Sequence, residues 1–149
     1  MNVIFEFRKP EKSDKRDFIA LSTDFYASDA VICPVPAKFH ERAFDELMSS
    51  DRYIEFFLFI GDGKTAGYAL IAKSYSREAG GAVVWVDELY LKPDYRGRGA
   101  AKQFFAFLEK RYAAARFRLE VEDDNERAKR LYEKLGYRYL PYVQMIKGN

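Results

Sequence analysis

The chain has 149 residues, enough for one domain built on a single sizeable core. Its 25 basic and 23 acidic side chains leave a net charge of +2, which gives no case for nucleic acid or an anionic membrane as partner. The lone Cys33 excludes an intrachain disulfide and any cysteine-built metal cluster, and the lone His40 has no G-x-S-x-G elbow to serve.

The opening segment, M-N-V-I-F-E-F-R-K-P, is too short and too acidic for a signal peptide, and no apolar run approaches transmembrane length, so a soluble cytoplasmic protein is expected. A first strand from Val3 to Arg8 ends at Pro10. Asp14 with Asp17 resembles a capping pair, and Phe18, Leu21 and Phe25 continue with helical spacing. Pro34 and Pro36 force extended backbone before a second helix from Ala37 to Met48. Ile54 to Ile60 is an apolar run of strand length, Asp62-Gly63 a hairpin turn, and Gly67 to Lys73 the returning strand. Gly80-Gly81 makes the next turn, and Val83 to Leu91 the following strand. Ala101, Phe104, Phe105, Leu108 and Tyr112 mark the core face of a long helix, and Phe117 to Val121 is a strand. Asp123, Asp124 and Asn125 compete to cap a last helix carrying Ala128, Leu131, Tyr132 and Leu135, which Gly136 stops. Tyr137 to Lys147 closes the chain as extended structure broken at Pro141. The predicted order is β-α-α-β-β-β-α-β-α-β, an antiparallel meander feeding a β-α-β unit in one domain over residues 1–149.

The most informative stretch is L-Y-L-K-P-D-Y-R-G-R-G-A-A, from Leu89 to Ala101. It reads as a strand end, a turn, and an arginine–glycine loop opening into a helix. A helix start presents unpaired N–H groups and partial positive charge, and glycine lets an anion approach the main chain, so the loop is a candidate pyrophosphate cradle. Two cofactor readings fail on particular residues. Gly61-Asp62-Gly63-Lys64-Thr65 contains the tail of a P-loop, but the required earlier glycine is Leu58 and a strand follows. Gly97-Arg98-Gly99 before a helix, with Glu120 downstream, imitates a dinucleotide fingerprint, but Lys102 occupies the position of the third glycine.

With its flanks the loop carries a third reading. Asp87-Glu88-Leu89-Tyr90-Leu91-Lys92-Pro93-Asp94-Tyr95, the loop Arg96-Gly97-Arg98-Gly99-Ala100-Ala101, and Asn125-x-x-Ala128-x-x-x-Tyr132-x-x-x-Gly136-Tyr137 follow in order. From Val83 to Tyr137 the chain resembles the GNAT superfamily of N-acetyltransferases, whose loop is Q/R-x-x-G-x-G/A. The resemblance implies an α/β (α+β) fold with a mixed, mostly antiparallel central sheet flanked by helices. It implies acetyl-CoA as cosubstrate, no metal, and direct acetyl transfer to an amine of a small molecule or peptide. By the same resemblance the main chain of Leu89, Tyr90 and Leu91 would hold the pantetheine arm. The amides from Arg98 to Lys102 would surround the pyrophosphate, with Arg96, Arg98 or Lys102 at its charged end. Asn125 and Ala128 stand where the second helix meets the cofactor, and Tyr132 matches the tyrosine near the sulfur that protonates the leaving thiolate.

Because an aliphatic ammonium must lose a proton before it can attack, Asp87 and Glu88 are both candidates for the base, with a slight preference for Glu88. Strict alternation places Asp87 on the face of Trp85 and Leu89, and Glu88 on that of Val86 and Tyr90. The acceptor slot is expected near Asp24, Phe25, Tyr26, Asp29 and the turn from Tyr75 to Gly81. Cys33 and His40 read as structural or incidental. A homodimer through the exposed late strands fits the pattern. The rival to catalysis is a module on the same scaffold that senses acyl-CoA without turning it over.

Overall fold

The computed structural model describes residues 3–148; Met1, Asn2 and Asn149, at the ends of the expected domain, lie outside the described residues. Its elements are β1 (Phe5–Arg8), α1 (Lys15–Tyr26), α2 (Ala37–Ser49), β2 (Ile54–Gly61), β3 (Lys64–Ser76), β4 (Gly81–Leu91), α3 (Ala100–Arg111), β5 (Arg116–Leu119) and α4 (Glu126–Lys134). The strands form one sheet in the order β1-β2-β3-β4-β5, antiparallel except for the parallel β4–β5 pair, as the expected mixed fold requires. No helix among the described residues is long and apolar enough to cross a membrane.

Helices cover both faces of the sheet, which explains why the strands read as apolar runs rather than alternations. On one face Phe57, Phe59, Ala69, Ile71, Val84 and Val86 pack against Phe104, Phe105 and Leu108 of α3. On the other, Phe56, Leu58, Tyr68 and Leu70 pack against Phe18, Leu21 and Phe25 of α1 and Phe44 of α2. Side-chain alternation therefore sorts each strand between two cores.

Several local expectations change. Asp14 does not cap α1 with its side chain; it accepts from the Glu11 N–H and pairs with Arg8 at 2.8 Å, so the acid fixes the turn before the helix. Asn125 wins the contest for the α4 cap, accepting from the Ala128 N–H at 3.2 Å. The final extended segment joins no ladder. Tyr139, Tyr142, Val143, Met145 and Ile146 are exposed along it, and β5 pairs on its β4 side alone. Pro141, which lacks an N–H, interrupts the donor row that a ladder there would need.

Gly67 has a packing reason to be glycine. A Cβ there would lie 2.0 Å from the Tyr90 carbonyl oxygen and 3.0 Å from Leu91 Cα, so β3 lies tightly under the last residues of β4. Gly67→Ala should cost about 3 kcal/mol as the strands are forced apart. A thermal melt matching that of the parent would show that the sheet tolerates the displacement.

Candidate active site

The end of β4 is shaped by two departures from a regular ladder. Opposite β3, Leu70 pairs with Glu88 and Ile71 with Val86, leaving Asp87 as the extra residue of a bulge. On its other side, β4 pairs with β5 only from Val83 to Val86. Residues 87–91 therefore have no strand beside them there, so the main chain that would otherwise bond to β5 faces an opening.

The bulge changes part of the face assignment made from alternation: Glu88 keeps the face of Tyr90 but loses Val86. Val86, Leu89 and Leu91 all turn to the α3 face, whereas Glu88 and Tyr90 turn to the α1–α2 face. Glu88 accepts from Tyr68 Oη at 2.6 Å and from Tyr26 Oη at 3.1 Å. Burial pushes its carboxyl above the ordinary value, the two tyrosine donors pull it down, and Asp87 adds to the rise. Asp87 is exposed, yet crowding around its carboxyl and the nearby Glu120 raise it as well. Burial first, then the Glu88 charge, drives the Tyr26 and Tyr68 hydroxyls upward, so both remain protonated donors. Neither tyrosine carries a motif signal; Tyr26 is read from sequence only as part of the acceptor slot, and Tyr68 as a strand residue.

The loop after β4 makes a short turn at Pro93–Tyr95 and enters α3 through Gly97 and Gly99, with φ of 73° and 84°. Nothing lies within 4 Å of a Cβ built at Gly97, and at Gly99 the nearest such atom is Gln103 Nε2 at 3.7 Å. Backbone conformation, not lack of space, calls for glycine here. The first helical bond runs from the Gln103 N–H to the Gly99 carbonyl, so the N–H groups of Ala100, Ala101 and Lys102 precede the ladder. Arg96 bends back, donating through Nε to the Leu91 carbonyl at 2.9 Å and lying over the Tyr90 ring. Arg98 lies over Tyr95. Gln103 holds α3 to the first strand region, accepting from the Phe5 N–H at 2.9 Å and donating to the Val3 carbonyl at 2.8 Å.

On the α3 face Tyr132 packs edge-on against Phe105 and Tyr137. Burial raises its hydroxyl pKa. That hydroxyl makes no protein hydrogen bond, and no described side-chain N or O is both sealed from water and unpartnered, so it opens to solvent. Glu88 and Tyr132 thus lie on opposite faces of the sheet. A cleft of about 580 Å³ includes Tyr132 with Leu119, Glu120, Val121, Tyr137 and Tyr142, but none of the loop Arg96–Lys102. It lies between β5, α4 and the unpaired closing segment, and we distinguish it from the opening beside residues 87–91.

Comparison with known proteins identifies the fold and the family. Uncharacterised N-acetyltransferases of Mycobacterium bovis and Mycobacterium tuberculosis are 36% identical over 83 residues, which is 52% of this chain and 48% of theirs. The chain therefore spans about half the length of the curated relatives it matches. A solved "possible acetyltransferase" from Clostridium difficile 630 superposes with a TM-score of 0.82 at 17% identity, covering 98% of each chain. The aminoglycoside N-acetyltransferase AAC(6')-Iy, solved with the bisubstrate analogue CoA-S-monomethyl-acetylneamine, gives 0.79 at 18% identity, over 98% of this chain and 99% of that one. At such identities these structures share the fold. The family model described as "Acetyltransferase (GNAT) family" matches residues 18–137, from α1 to just beyond α4, and the chain belongs to that family.

Proposed function

We propose that the protein is an acetyl-CoA-dependent N-acetyltransferase acting on an amine of a small molecule or peptide. The observation that carries this reading is the end of β4, where one short segment has open main chain at its edge and a half-buried acid on one face, and leads straight into the glycine loop that opens α3. The chain's own groups fit the cofactor. The open edge of residues 87–91 suits an amide-bearing arm, and the N–H groups at the start of α3 suit a pyrophosphate. Lys102 and Arg98 are the cations for its charged end; Arg96 is engaged with the Leu91 carbonyl. Acetyl-CoA supplies the acetyl group as a thioester.

Glu88 is the base in this reading. Its raised pKa brings it closer to the working range for an amine proton, and Tyr26 and Tyr68 fix its orientation. Asp87, exposed at the bulge, attracts the cationic acceptor. Tyr132, held protonated by burial, is the donor to the leaving thiolate. Tyr132→Phe should lower turnover about 10-fold while leaving acetyl-CoA affinity alone; equal loss of both would make it a packing residue. Assaying free-thiol release over a panel of amines tests the reading as a whole. An enzyme turns over at least one class, whereas an acyl-CoA sensor binds and turns over none.

Cofactor binding has its own test. Gly99→Glu puts a side chain at a left-handed position and a negative charge on the helix start, and should weaken acetyl-CoA binding about 100-fold in calorimetry. Failure of the unmutated protein to bind acetyl-CoA would defeat the proposal.

A further inference from the structure

The closing segment and the outer side of β5 are each left unsatisfied by their own chain. After α4, Tyr137 packs against Phe105 and Tyr132, and the backbone then turns at Pro141, where the Tyr142 N–H meets the Leu140 carbonyl at 2.8 Å. Tyr142 Oη donates to Glu78 at 2.8 Å, and Glu78 also holds Arg116 at the start of β5. The chain is anchored as far as that point. Beyond it, Val143, Met145 and Ile146 are 93%, 91% and 84% exposed, so residues 143–147 leave the body of the protein as an extended apolar arm. Among the described residues β5 pairs with β4 alone, and its outer row of N–H and C=O groups meets no strand. The cleft of about 580 Å³ runs along that row, with Phe117 and Leu119 on the β5 side and Tyr137, Tyr139 and Leu140 across from them. One molecule thus holds both an unseated strand and an empty place beside a sheet edge.

We propose that two copies of this chain exchange these arms, residues 143–147 of each adding as a strand to the free edge of β5 in the other. The main chain supplies the bonding, as in any strand added to an open edge. The arm's length matches that of β5, which runs only from Arg116 to Leu119. From Tyr139 to Ile146 the segment carries no charge, so it sets no like charge against Arg116 or Arg118. Alternation puts Val143 and Met145 on one face of the arm, as it puts Phe117 and Leu119 on one face of β5, so pairing can join apolar to apolar. Seating Val143, Met145 and Ile146 in both directions removes roughly 1,000 Å² from water before the cleft itself is counted, about what a specific interface requires. The exchange is isologous and closes on itself, so it stops at two copies. It stands whether or not the catalytic reading above holds.

Sedimentation velocity over a range of concentrations should find the unmutated protein as a dimer. Gln144→Pro combined with Met145→Pro removes two successive N–H donors, one of which faces β5 in any register. Both residues are exposed in the single chain, so the variant should sediment as a monomer with an unchanged circular dichroism spectrum. A parent that is monomeric at every concentration would overturn the exchange, as would a folded proline variant that stays dimeric. A second measurement does not depend on that variant folding. A photoreactive benzophenone side chain placed at Met145, in ¹⁴N and ¹⁵N chains refolded together, should join arm peptides of one isotope to β5 peptides of the other. Links within one isotope alone would mean that each arm closes on its own β5, and links that miss β5 would mean that the arm docks elsewhere; either result overturns the proposal.

Discussion

Glu88→Gln should lower kcat by about 10²–10³-fold, the usual contribution of a positioned base, with acetyl-CoA affinity unchanged. Glutamine keeps the shape and still accepts from Tyr68 and Tyr26, so packing on the α1–α2 face survives while the proton acceptor is lost. The variant also has a stability signature of definite sign. The folded protein raises the Glu88 carboxyl above its ordinary value of 4.5, so the fold binds that proton more tightly than the unfolded chain does. Stability is therefore full below the unfolded value and is lost as pH rises through the folded one. Above both values the ionised Glu88 costs stability, and Glu88→Gln should melt at or above the parental temperature. Its activity should follow the opposite course. Since the base must be ionised, kcat/KM falls on the acid side of the raised pKa. Tyr68→Phe removes a donor that favours the carboxylate, so that limb should move to higher pH. A glutamine variant that turns over normally, or one that is destabilised at high pH, would remove Glu88 from this role.

A second acid, this one buried, should behave in the reverse way. Glu55, near the start of β2 and 3% exposed, meets Lys73 at 2.7 Å, Lys9 at 3.0 Å and Arg111 at 3.5 Å, and accepts from the Tyr112 hydroxyl. Burial opposes its ionisation, but the Lys73, Tyr112 and Lys9 hydrogen bonds prevail and lower its pKa to about 2. Glu55→Gln leaves three cations without their shared anion. Breaking a buried ion pair costs about 3–5 kcal/mol, and because Lys9 and Arg111 are 44% and 39% exposed, the loss should lie at the lower end. Stability from this group is present above the unfolded value of 4.5 and is lost as pH falls toward about 2. Denaturant titrations of parent and variant should differ at neutral pH and converge in acid; a constant gap would place the effect in packing instead. Register sets Glu55 opposite Ile71 in the middle of β3, away from the Gly67–Leu91 pair that leads into the loop. The variant should therefore leave acetyl-CoA binding intact.

These two acids illustrate what a linear reading reaches. Most strand and helix positions were legible because the signals are local. Helical spacing of Phe18, Leu21 and Phe25, glycine at the Asp62-Gly63 turn, and Gly99 before α3 each act within a few residues. The glycine loop that opens α3 was legible for the same reason. Glu55 was not, since it appears in sequence as one polar residue in an apolar run, and its cations come from β3, α3 and the segment after β1. The closing strand was misread because extended, partly apolar residues look alike whether or not an edge receives them.

Order and spacing along the chain were enough to specify the family, the mixed sheet between two helix layers, and the loop that opens α3, because each depends on dihedral preference and periodicity over short spans. The face of Glu88 was a tertiary decision. The bulge at Asp87 breaks the two-residue period, so Val86 and Leu89 share a face that alternation denies them. Glu88 meets Tyr26 and Tyr68, residues of α1 and β3 that only the packing of α1 on the sheet brings together.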